Sequence, residues 1–141
     1  MPIPIYPRKV QQTNKAVGTV LKTVVLTLAG AQTVGAKPTL AFVMPENGVF
    51  QTAKARLGTV NTGATFIIDV NKNGTTLYTT QTRRPTIAIS ANPAVSTETA
   101  QADVTSLPKG SVVTVDVDQV GSTVAGSDLS VTISYLARDF S

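Results

Sequence analysis

Between Ser111 and Asp118 the chain alternates cleanly, with Val113, Val115 and Val117 pointing one way and Thr114, Asp116 and Asp118 the other. A side-chain period of two belongs to a strand with one dry and one wet face; a helix would scatter the same residues around its circumference. The period recurs in Leu129, Val131, Ile133 and Tyr135, in Phe66, Ile68 and Val70, and in Leu40, Phe42 and Met44. After a turn at Pro45–Gly48, Val49, Ala53, Ala55 and Leu57 share a face opposite Lys54 and Arg56. Asn73-Gly74 marks a tight hairpin, because both residues tolerate positive φ. Weaker strands are expected at Thr86–Ser90, through Ile87 and Ile89, and at Ala100–Leu107, around a polar loop at Asn92–Thr99. With 22 Thr and 19 Val, and no Trp, His or Cys, usage also favours strands, since β-branched side chains fit a pleated sheet better than a helix. The expectation is an all-β chain, an antiparallel β-sandwich or jelly roll of about eight strands.

Charge divides the chain. Residues 1–37 carry five basic side chains (Arg8, Lys9, Lys15, Lys22, Lys37) and no acidic one, and the rest carries seven basic and eight acidic. Pro2, Pro4 and Pro7 exclude a helix or interior strand at the start and favour an extended backbone. We therefore read 1–37 as an extended basic N-terminal arm and 38–141 as the sandwich domain. Residues 16–29 of the arm read as a β-strand, with Val24, Leu26 and Leu28 on one face and Thr23, Val25 and Thr27 on the other. Both faces are partly apolar, as in a strand covered on both sides. That strand has three available uses: in the sandwich, exchanged between protomers, or added to the sheet edge of a partner. Lys22 and the recurring threonines interrupt the apolar run, which disfavours both a cleaved signal and a membrane span.

Chemistry is sparse. Without His or Cys the usual base and nucleophile pairings are missing, and no glycine-rich loop carries the lysine of a phosphate cradle. Asp116 and Asp118, with Asp69 and Asp128, have the oxygen ligands of a hard-cation site. Alternate aspartates are equally the mark of a solvated or interface-facing strand, and that reading is preferred, so no catalytic residue, metal or cofactor is expected. Arg83-Arg84 is the tight basic pair of the body, suited to bidentate pairing with a carboxylate. Arg83, Arg84, Asp116 and Asp118 are the candidates for contacts between subunits. The scattered aromatics offer no stacking platform for single-stranded nucleic acid or sugar.

From about Leu57 to Tyr135, the stretches GATFIIDVNKNGTTLYTT, RRPTIAI and VVTVDVDQVGSTVAGSDLSVTISYLA resemble a β-sandwich domain that recurs in virion proteins of tailed bacteriophages. That group includes capsid decoration (cement) proteins and the ends of tail and fibre proteins. The resemblance implies a non-enzymatic, homotrimeric virion protein. One domain with a basic arm suits decoration and stabilisation of the outer capsid surface, the arm and the base of the sandwich docking on neighbouring subunits of the major capsid protein. Ile3, Ile5, Tyr6, Val10 and Val17 would be its apolar anchors, and Arg8, Lys9 and Lys15 its charge partners. The alternatives are a tail, fibre or receptor-binding module and a nucleic-acid-binding protein; nucleic acid is disfavoured by the near-neutral body, and no membrane or small-molecule partner is expected.

Overall fold

The structure is a computed structural model and describes residues 19–97 and 100–138. Among them are nine strands, β1 (Thr19–Ala31), β2 (Gly35–Val43), β3 (Gly48–Thr59), β4 (Phe66–Lys72), β5 (Thr75–Thr76), β6 (Thr86–Ile87), β7 (Ser106–Leu107), β8 (Val112–Gln119) and β9 (Ser127–Arg138), and one 3-10 turn (Gln81–Arg83). They form two antiparallel sheets, one ordered β1-β9-β3-β7, the other β2-β8-β4-β5 with β6 also on β4. The chain is an all-β sandwich.

The core is built from the alternating residues. Val113, Val115 and Val117 of β8, Phe66, Ile68 and Val70 of β4, and Leu129, Val131, Ile133 and Tyr135 of β9 are buried, together with Leu40, Met44, Leu77, Ile87 and Leu107. Each large aliphatic or aromatic side chain removed from water there contributes about 1.5–3 kcal/mol before the entropy of ordering is set against it. Asn73 and Gly74 both adopt positive φ, 50° and 85°, and join β4 to β5 in a two-residue turn.

Four local expectations need correction. The division at Pro38 falls inside β2, so residues 19–37 belong to the sandwich through β1 and the start of β2. Pro38 is tolerated because β2 is an edge strand and its pairing with β8 shifts register between Lys37 and Ala41. β1 is covered on one side only. Val24, Leu26 and Leu28 pack on the core while Thr23, Val25 and Thr27 are exposed, because in a two-layer sandwich the outer face of each sheet meets solvent. In β3 the core position goes to Phe50 rather than Val49, since a register shift against β9 between Phe50 and Thr52 turns the strand over. The two weaker strands shrink to two residues each, which leaves Ile89 exposed.

Candidate docking surface

The antiparallel register gives the sandwich two distinct ends. At one, here called the base, β1 begins opposite the end of β9, with Thr19 across from Arg138. The β2–β3 turn lies there too: Arg138 N donates to Asn47 O, Lys109 N donates to Asn47 Oδ1, and Met44 exchanges backbone hydrogen bonds with Gly110 and Ser111. Four large apolar residues stand exposed at this end, Val20 (57%), Leu21 (61%), Val43 (59%) and its cross-strand neighbour Val112 (41%). Scattered surface apolar residues are ordinary; these four mark one end of the fold from both sheets, with Val43 and Val112 a cross-strand pair on the outer face of the second sheet and the consecutive Val20 and Leu21 on opposite faces of the first.

The charges of the base are lopsided. Lys22 Nζ donates to Glu46 Oε2 at 2.7 Å, and this contact raises the amine's pKa. The pair is exposed, so it orders the corner more than it stabilises it. Glu46 Oε2 also accepts a long hydrogen bond from the Tyr135 hydroxyl, whose pKa is raised first by burial and then by the Glu46 charge. Arg138 has no carboxylate partner among the described residues. Beside it, between β3 and β7, a cleft of about 420 Å³ is lined by Asn47, Gly48, Val49, Ser106 and Leu107. The eighteen residues that precede β1 enter at this end, with their surplus of Arg and Lys. The expected anchors Ile3, Ile5, Tyr6, Arg8, Lys9, Val10, Lys15 and Val17 lie outside the described residues.

Asp69, Asp116 and Asp118 sit elsewhere, on the outer face of the second sheet. Asp69 of β4 is directly across from Asp116 of β8. Thr76 Oγ1 donates to Asp69 Oδ1 at 2.7 Å, and Asn71 Nδ2 donates to Asp116 Oδ2 at 2.8 Å. Burial, followed by the charge of Asp118, raises the Asp69 pKa; the Thr76 hydroxyl and, more weakly, Arg84 oppose this. Arg84 Nη1 meets Asp118 Oδ2 at 2.6 Å, and Arg84 Nε donates to Gln81 O. Arg83 Nη1 meets Asp103 Oδ1 at 3.0 Å, and Thr80 donates to the same carboxylate through its N–H and its hydroxyl, the N–H doing most to lower its pKa. Both arginines thus find carboxylates within their own chain; Arg84 and Asp118 pair directly and both act electrostatically on Asp69, while Asp116 is held separately by Asn71. Asp128 stands apart at the far end, where its carboxylate accepts from Gly30 N. Among the described residues no three His, Cys, Asp or Glu groups converge in a way that could hold a metal ion.

Sequence reasoning expected docking through the base but named none of its residues. Val20 and Leu21 looked like strand interior, and Val43 and Val112 become neighbours only through β2–β8 pairing, which the pattern of either strand does not reveal. Among the described residues no helix is long and apolar enough to cross a membrane. The chain matches no protein-family model and no curated protein.

Proposed function

We propose that this chain is a non-enzymatic virion structural protein that decorates and stabilises a tailed-phage capsid shell. It docks through its N-terminal lead and the base of its sandwich onto neighbouring subunits of the major capsid protein, at the outer surface. One observation carries this reading. The exposed apolar residues Val20, Leu21, Val43 and Val112 gather at the end where the basic, proline-punctuated lead joins the fold. Fixing any stretch of chain on a partner costs about 1–2 kcal/mol of backbone entropy per residue, and charge contacts alone do not supply that. Apolar side chains in the lead and at the base, used together, do. Copies assembled as a trimer on a repeating lattice would multiply modest individual contacts through effective concentration. Deleting residues 1–15 should leave a folded body that no longer binds heads; unimpaired binding would sink the proposal. Binding of the isolated body to host polysaccharide, without binding to heads, would favour a tail or fibre role instead. A steeply salt-dependent affinity for DNA would favour the nucleic-acid reading.

A further inference from the structure

Sandwich edges are ordinarily protected, because a row of unpaired N–H and C=O groups invites another strand. Most edges of this fold follow that practice. β2 contains Pro38 and breaks register, and its Lys37 lies across from the buried Val115. β5, β6 and β7 are two residues long, and bridges from Arg56 to Val95 and from Thr86 to Thr97 cover the flanks of β3 and β6. β1 differs. It is thirteen residues long, has no proline, and pairs with β9 residue for residue from Thr19 to Leu28. Among the described residues nothing pairs with its other side. At the far end the Gln32 amide already donates to the carbonyls of Leu28 and Gly30, which leaves Thr19–Thr27 as the open stretch. Its one charge, Lys22, is turned to Glu46.

We propose that Thr19–Thr27 of β1 accepts an extended strand from the protein this chain decorates, one with small or apolar side chains flanked by carboxylates. The inference rests on the docking role proposed above. Two features select that occupant. On the outer face of the β1 sheet, Arg138 of β9, the strand next to β1, is exposed and has no carboxylate partner among the described residues. Arg138, across from Thr19, would stand about 10 Å, two strand spacings, from the added strand, within combined reach of its guanidinium and a glutamate. The lead also runs directly into β1, so one length of chain would carry both contacts to the same surface. A second copy of β1 does not answer the Arg138 charge, because its Thr19–Thr27 stretch carries no carboxylate.

Hydrogen exchange on the full chain, free and bound to empty heads of the virion that carries it, tests this. In the free protein alternate amides of residues 19–27 should exchange fast, because only every second residue bonds to β9. On heads the fast set should slow at least a hundredfold. Arg138→Glu should weaken head binding at least tenfold while leaving the exchange pattern of the free protein unchanged. If the chain binds heads and the fast set stays fast, strand addition is wrong and the docking role stands. If the set is already slow in the free protein in a concentration-dependent way, a second copy fills the edge and the inference is overturned. Binding undiminished in Arg138→Glu would remove the carboxylate partner. Failure of the unaltered chain to bind heads at all would overturn the docking role and this inference with it.

Discussion

Replacing Arg84 with Ala tests whether its pairing with Asp118 is internal to the chain. Arg84 sits between the strand that follows the 3-10 turn and Asp118 of β8, and its guanidinium contacts one carboxylate and its Nε one backbone carbonyl. The side chains are 21% and 30% exposed, so solvent screening discounts their charge-assisted bond only in part. Such bonds contribute about 1.5–3 kcal/mol, and truncation also leaves the charge of Asp118 acting on Asp69 without the opposing guanidinium. We expect a loss of about 2 kcal/mol. For a chain of this size that is a fall in Tm of about 6–10 °C. In an Asp118→Asn background the same truncation should cost at least about 1 kcal/mol less, because the cycle isolates the pair. Urea unfolding of the four proteins gives these values, and they should not change with protein concentration. A coupling near zero, or one that grows with concentration, would refute the reasoning: the first would mean a solvated arginine, the second a contact between subunits.

Much of the sandwich was legible because it is written locally. Val113, Val115 and Val117, or Leu129 to Tyr135, announce strand, face and burial by alternation alone, and Asn73-Gly74 announces its turn. What was not legible depends on partners distant in sequence. The pairing of β1 with β9 joins residues about a hundred positions apart, and without it residues 19–31 read equally well as part of an arm. Pro38 looked like a boundary because proline ends interior strands, but an edge strand with a register shift accommodates it. The roles of Arg84 and Asp118 turned on which carboxylate lay near which guanidinium, and sequence spacing carries no information about that.

Further outcomes follow from particular residues. Burial and Asp118 hold the folded pKa of Asp69 above its ordinary 3.8, so its contribution to stability is full below the unfolded pKa and is lost as pH rises through the folded one. Asp69→Asn keeps an acceptor for Thr76 and removes that loss; its stability should vary less above pH 4 than that of the unaltered chain, and a steeper dependence by thermal melts would contradict the assignment. Arg84→Ala should instead steepen the same dependence, because Arg84 opposes the rise in the Asp69 pKa. Gly121→Ala should destabilise by about 3 kcal/mol or more, since its Cβ would strike backbone atoms of Thr62 and Val124 that cannot swing aside; a melt within about 1 °C of the unaltered protein would refute the packing there. Val25→Lys, on an exposed position of β1, should leave Tm within about 2 °C, and a large fall would mean that this face is covered in the free protein.

The central claim is that this chain is a shell-docking module held by its lead and its base. It is tested most directly by disrupting virions, separating heads from tails, and following the chain beside a form lacking residues 1–15. The account predicts that the full chain travels with heads and the shortened form with neither; a full chain found with tails, or a shortened form still on heads, would contradict it.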